Sequence, residues 1–422
     1  MAIDPEEFKQ RRLRREQQRR EKQRSFIVRL VVAAAVLLLC GAVILVVIRA
    51  NRRQDTGNTT LSTQQTGQTA ETENATGPVS TVIHLTAAGD LNATDAVVAA
   101  GGGDYDYTNA FLDVSHLLAG ADISLLNFEG NLSGAPYGTA SASAPQALMQ
   151  SLSASGVDLI QLANSYSIHG GMSGLRSTIQ GVRNAGLEPL GVYADSQEGK
   201  KAKGYTICQV QGVKIAFVAF TKGMNGLALP SGSENCVNVL YTDYASTYQT
   251  VNTEGITQVL DAVAKESPDI TVALLHWGSE YNDTISATQE TICSLLQDNG
   301  VDAIIGTHPH YVQQVKFDKE AGTLVAYSLG DFFGDAQRAG SEYSVLLDLE
   351  ITKDHTTGKT KITGYSYTPI FTVAEEGKPL RVVRIRETMA AYEAGYIDSV
   401  SAETYAAMAY ALQRIENRIV GE

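Results

Sequence analysis

Ala303-Ile304-Ile305-Gly306-Thr307-His308-Pro309-His310 is a short apolar run that breaks at once into a histidine-rich turn. The run reads as a strand, and the same grammar recurs along the chain. Val82–Ala87 leads into Ala88-Gly89-Asp90, and Ile123–Leu126 into Asn127-Phe128-Glu129. Leu159–Leu162 leads into Ala163-Asn164-Ser165, and Ile270–Leu275 into His276-Trp277-Gly278. Pro189–Tyr193, Ile215–Phe220 and Leu324–Tyr327 are further strand candidates. Between them Ser173–Ala185, Gly255–Glu266 and Thr288–Gln297 carry the spacing of amphipathic helices. Strands alternating with helices predict an α/β layered fold. Cys208–Val210 and Ile215–Phe220 flank Gln211-Gly212-Val213-Lys214, a hairpin signal. Tyr343–Lys353 and Thr360–Phe371 alternate like an antiparallel pair turning at His355–Gly358, and residues 387–418 read as one or two helices.

The polar clusters carry the chemistry. Sites in open α/β sheets form at the carboxyl ends of strands, where loops converge. Five runs here deliver Asp, Glu, Asn and His to such ends. Carboxylate with imidazole suits Zn, Mn or Fe, whereas all-oxygen sets suit Mg or Ca. Pro309 biases His308 toward extended backbone. In an extended chain residues i and i+2 face the same way, ~6.5–7 Å apart. His308 and His310 can then address one ion, or two ions ~3.5–4 Å apart. Asp90, Glu129, His276, His308 and His310 form the candidate metal set. Plainer readings stand beside it: Asp90 as a helix cap or turn residue, Glu129 as a solvated carboxylate, His276 as a core imidazole packed by Trp277. His84, His116 and His355 have no clustered partners and read as ordinary residues. No GxSxG, SxxK or Walker loop is present, so serine hydrolase and NTPase chemistry lack their signatures.

The chain has 422 residues, 44% hydrophobic and 19% charged, which excludes a disordered chain and a many-span membrane protein. The formal net charge of −13 is uneven. Residues 1–53 hold 13 Lys/Arg against 5 Asp/Glu, leaving 20 basic and 41 acidic groups beyond them. So acidic a body disfavours nucleic acid as a partner. Of four cysteines, Cys208 and Cys236 read as buried thiols, with a pairing open only in an oxidising compartment.

Leu30–Ile48 is 19 consecutive residues without a charge, ~28 Å long as a helix and enough for a bilayer core. Lys9 to Arg24 before it hold nine basic and two acidic residues, and only Arg49, Arg52 and Arg53 follow. The positive-inside rule predicts residues 1–25 as a basic cytoplasmic tail, 26–49 as a single-pass span in membrane lipid, and the rest outside the cell. A cleaved signal would need a shorter apolar run and a small-residue site. Residues 50–80, rich in Thr and without an aromatic residue from 54 onward, predict a disordered linker.

The motifs AAGD, ADISLLNFEG, LANSYSIHGGMSGLRST, LLHWGSEY, IIGTHPHYVQQV and AYSLGDFF together resemble the capsule-synthesis CapA family, of poly-gamma-glutamate biosynthesis type. That family is a branch of the calcineurin-like metallophosphoesterases. The resemblance covers roughly residues 82–375. It implies a four-layer α/β/β/α sandwich over 81–375; beyond it, the helical pattern makes 376–422 a C-terminal helical extension. It implies one or two divalent transition ions (Mn, Zn or Fe) on Asp90, Glu129, His276, His308 and His310, with Glu129 bridging. It also implies an accessory role in making, exporting or attaching an extracellular anionic polymer, alongside other subunits of a membrane synthesis complex. Non-catalytic scaffolding and a phosphoesterase role unrelated to capsule are the alternatives. The family's ANNH reads Ala163-Asn164-Ser165-Tyr166 here. Ser165 therefore stands where an Asn ligand is expected, and Tyr166 where the proton donor is expected. His169, three residues on, is the other candidate donor. Family YSLGNF becomes YSLGDF, which introduces Asp331.

Overall fold

The computed structural model describes residues 79–396 and 399–421. The predicted tail 1–25, the span 26–49 and the linker 50–80, except its last two residues, lie outside the described residues. Among the described residues no helix is long and apolar enough to cross a membrane.

In chain order the strands are β1 (Ser80–Asn92), β2 (Ile123–Glu129), β3 (Leu159–Gln161), β4 (Glu188–Leu190), β5 (Tyr205–Val210), β6 (Val213–Thr221) and β7 (Ile270–His276), followed by β8 (Ala303–Thr307), β9 (Val315–Asp318), β10 (Thr323–Ala326), β11 (Asp331–Phe333), β12 (Tyr343–Asp354), β13 (Thr360–Val373) and β14 (Arg381–Arg384). They make two sheets. One runs β14-β13-β12-β1-β2-β3-β4, with β11 pairing β1, and the other runs β5-β6-β7-β8-β10-β9. In the first, β1 to β4 are parallel and β12 to β14 antiparallel. In the second, β6, β7, β8 and β10 are parallel, with β5 and β9 antiparallel at the edges. Parallel strands buried on both faces read as unbroken apolar runs, which is why β2, β7 and β8 were legible.

The second sheet is covered by helices 253–264 and 287–298. Their Ile256, Leu260, Ile292 and Leu296 pack with Phe220, Ala273, Leu275 and Ile304. Ser286 and Gln289 start the later helix with a reciprocal capping box, which satisfies two of its free N–H groups. The expected hairpin is present, with Gln211 at φ 48° and Gly212 at φ 81°. Two consecutive positive φ values give the I′ turn that matches strand twist. Residues 376–422 are less purely helical than expected. β14 adds a strand to the first sheet before helices 385–393 and 402–420. Cys208, Cys236 and Cys293 are buried free thiols.

Candidate metal centre

The carboxyl ends of β1, β2, β7 and β8 meet, and with them the polar clusters of both sheets. The register between β1 and β2 slips by one residue between Ala87 and Asp90. Such a bulge re-aims side chains next to a site. Gly89 lies in it because a Cβ there would stand 1.8 Å from the Gly330 carbonyl oxygen. That approach lets the Asp90 N–H donate to Gly330 O at 3.0 Å, joining β1 to the start of β11. His276 ends β7 and is fixed by its neighbour. Trp277 is fully buried, donates from Nε1 to Tyr327 O at 2.9 Å and stacks on the Tyr327 ring.

Six buried side chains form two clusters whose ligand-capable atoms lie within 4.8 Å of one another: Glu129, His276 and His308 in one, Asp90, His310 and Asp331 in the other. All five residues of the sequence-derived set are therefore brought together. His308 and His310 are not extended, as Pro309 suggested. Their φ values are 92° and 59°, and the rings part, centroids 6.2 Å apart, into different clusters. Non-glycine residues at positive φ cost roughly 1–3 kcal/mol each and persist only where packing over-determines them. The Asp90 carboxylate is one such restraint, accepting from the His308 N–H at 2.9 Å.

In the first cluster the His276 and His308 rings are 4.4 Å apart, and His276 Nδ1 is 3.4 Å from Glu129 Oε1. Burial holds both imidazoles well below the ordinary range. The neighbouring His310 and Lys222 charges add to that effect, with His308 adding further at His276. Burial, then the Asp90 charge, pushes the Glu129 carboxyl well up. Among the described residues Glu129 Oε1 and His308 Nδ1 are buried without a hydrogen-bond partner. Orphaned buried polar atoms are rare because each forfeits its solvation. Here two of them belong to residues of one carboxylate–imidazole cluster, whose donor set fits a divalent transition ion.

In the second cluster, His310 Nδ1 lies 2.7 Å from Asp331 and 3.9 Å from Asp90. Burial opposes charge on His310, but Asp331, Glu129 and Asp90 outweigh it and raise the ring to about 11. Burial raises Asp90 to about 6. Asp90 is oriented by a relay: Asn164 donates to Asn127 at 3.0 Å, and Asn127 to Asp90 Oδ1 at 2.6 Å. Asp331 was not in the predicted set. Its one sequence signal was the Asp in YSLGDF, visible only as a departure from the family pattern.

The altered segment sits beside the first cluster. Ser165 Oγ is 3.0 Å from His276 Nε2, and Thr307 Oγ1 is 3.3 Å from His276 Nδ1, so both ring nitrogens have hydroxyl neighbours. Tyr166 is half-buried, and burial, followed by the Glu129 and Glu280 charges, pushes its phenol up to about 12. His169 is exposed, its ring 5.6 Å from that of Tyr166. At the other side Tyr281 stacks on His310 at 5.0 Å, and the Arg338 guanidinium lies 4.6 Å over Tyr281. His84 and His355 belong to neither cluster; each has a partner, Asp348 and Thr81 respectively.

Residues 84–336, more than half of the chain, match the family described as bacterial capsule synthesis protein PGA_cap. The capsule biosynthesis protein CapA of Bacillus anthracis is 27% identical over 214 residues, covering 51% of this chain and 49% of that protein. The PGA biosynthesis protein CapA of Bacillus subtilis is 27% identical over 205 residues, covering 49% of this chain and 50% of that one. The chain thus spans about half the length of these relatives. Among solved structures, a calcineurin-like phosphoesterase, YfkN from Bacillus subtilis, aligns at 14% identity and a TM-score of 0.42 over 81% of this chain and 98% of that one. By the extent of its match, the chain belongs to the bacterial capsule synthesis protein PGA_cap family.

Proposed function

We propose that this chain is an accessory protein for making, exporting or attaching a capsular polymer of poly-gamma-glutamate type, and that it works through a divalent-metal centre at the strand ends. The observation that carries the metal reading is the pair of buried clusters, with Glu129 Oε1 and His308 Nδ1 of one of them lacking a hydrogen bond among the described residues. Family membership supports the capsule role. The reading extends to a four-layer α/β/β/α arrangement of the two sheets and their helices. It also extends to single-pass anchoring through residues 26–49 with the body outside, supported by the apolar run and its basic flank.

Glu129, His276 and His308 would hold one ion, and Asp90, His310 and Asp331 a second; Mn, Zn or Fe suits the donors. When bound, such an ion supplies Lewis acidity toward a phosphoryl or carbonyl oxygen. The rest is done by the chain. Asn164 and Asn127 orient Asp90, and Ser165 and Thr307 hold the His276 ring. Tyr166 keeps its proton at neutral pH and is a weak donor to a leaving group. Elemental analysis of the purified full chain should find bound transition metal. The His308→Ala, His310→Ala double variant should lose it while still unfolding cooperatively. Equal metal in both proteins would refute the centre.

A scaffold role without catalysis is the second reading, favoured by the Ser165–His276 contact and the raised Tyr166 phenol. Ser165→Asn with Tyr166→His restores an oxygen ligand and a donor titrating near neutrality. A tenfold gain in polymer hydrolysis, about 1.4 kcal/mol of barrier, is expected of a weakened enzyme. If wild type, this double variant and Tyr166→Phe are all inactive with metal bound, the scaffold reading stands.

A further inference from the structure

Lys222 follows β6 directly and is fixed beside the His276 end of β7. Its N–H donates to the His276 carbonyl at 2.7 Å, and its Nζ donates to Gly278 O at 2.7 Å. The ammonium stands 4.9 Å over the Tyr248 ring. Thr221 Oγ1 accepts from the Gly223 N–H and donates to the Gly223 carbonyl, tying the backbone on both sides. A Cβ on Gly223 would stand 2.3 Å from Tyr244 O, so this segment has little room to move.

An ammonium carries three donors, and one is spent on Gly278. Among the described residues no carboxylate lies at ion-pair distance from Lys222, although the other half-buried lysines Lys214 and Lys353 have such partners. Burial disfavours the Lys222 charge, and the exposed Glu280 opposes this only from beyond that distance. A half-buried cation with donors to spare is unusual in a body holding 41 acidic groups against 20 basic ones. Arg338 is exposed and lies over Tyr281, and the buried His310 is committed to Asp331 at 2.7 Å, so the sheltered cationic contact falls to Lys222.

We infer that Lys222 receives an anionic oxygen of the substrate, a phosphate or a carboxylate, beside the His276–His308 side of the centre. The inference rests on the metal-centre reading for the place of the reaction, but not for the contact itself. It also answers how so acidic a protein admits an anionic polymer: the net charge of the body repels, while one oriented, poorly hydrated ammonium attracts at short range.

The test uses the full chain reconstituted with Mn²⁺ and two probes, inorganic phosphate and glutarate, titrated calorimetrically. Lys222→Met keeps the stem and removes the donors. It should weaken binding of at least one probe by about tenfold or more, the scale of a charged hydrogen bond, with metal content unchanged. Lys222→Arg should keep most of the affinity. The probe that loses affinity identifies the oxygen's source. If Lys222→Met binds both probes as wild type does, or loses its metal together with the anion, the inference is overturned. Wild-type protein without metal would refute the centre; phosphate binding that still depended on Lys222 would then uphold the inference alone.

Discussion

The two ends of β1 handle charge in opposite ways. At the amino end His84 pairs with Asp348 at 2.8 Å, with side-chain exposures of 47% and 29%, and Thr86 and the His84 N–H add bonds to Asp348 and Asp122. Water shares that load, so each pair there is worth little. Six residues on, Asp90 is fully buried among Asp331, Glu129 and three imidazoles. Nothing there is diluted by solvent, and backbone as well as side chains are committed to holding the groups in place. One strand thus carries ordinary surface electrostatics at one end and a built charge cluster at the other.

The largest test of that contrast is Gly89→Ala. A methyl group 1.8 Å from Gly330 O forces β1 and β11 apart, and the variant should lose about 3 kcal/mol in denaturant unfolding, the upper range for overpacking. A loss below about 1 kcal/mol, within the range of ordinary tolerated swaps, would mean the buried end is not rigid. Next in size is the cation effect. Mn²⁺ at 100 times its Kd should raise wild-type stability by about 2.7 kcal/mol and leave the His308→Ala, His310→Ala variant unmoved. An equal gain in both would move the ion elsewhere. The smallest effect belongs to the solvated end. His84→Ala should cost about 0.5 kcal/mol, discounted for exposure. The Asp348 hydrogen bond raises the His84 ring above its usual value, with burial opposing. Its contribution is therefore complete below the unfolded value of about 6.5 and fades as pH rises through the higher folded one. Comparing wild type and variant at pH 5.5 and pH 9 reads the sign; a gap that widens at pH 9 would reverse it.

Much of this was legible because strand ends announce themselves. Apolar runs predicted β1, β2, β3, β7 and β8 to within a few residues, and each placed its polar cluster where the structure places it. β9, β11 and β14 escaped: Val315–Asp318, Asp331–Phe333 and Arg381–Arg384 are short and carry charged residues, so no apolar run marks them. Asp331 was invisible as a cluster member because only the β1–β11 pairing brings it to Asp90. The division of His308 from His310 was likewise beyond local reasoning. Pro309 favours extension, and the positive φ values are imposed by packing and by the Asp90 carboxylate. Lys222 carried no motif; the inference about it came from the absence, among the described residues, of a paired carboxylate.

The order of the six cluster residues along the chain has a temporal consequence. Asp90 and His308 are hydrogen-bonded across 218 residues of sequence, and Asp331 comes later still. During synthesis the first cluster cannot close until residue 308 has emerged, nor the second until residue 331. β1 waits longer for its other neighbour, since β12 begins only at Tyr343. Contacts of such range are slow to form, so a collapsed but unfinished chain presents carboxylates and imidazoles scattered rather than convergent. On the metal-centre reading, ion capture should follow the meeting of both sheets, and a chain halted before residue 308 should emerge without it.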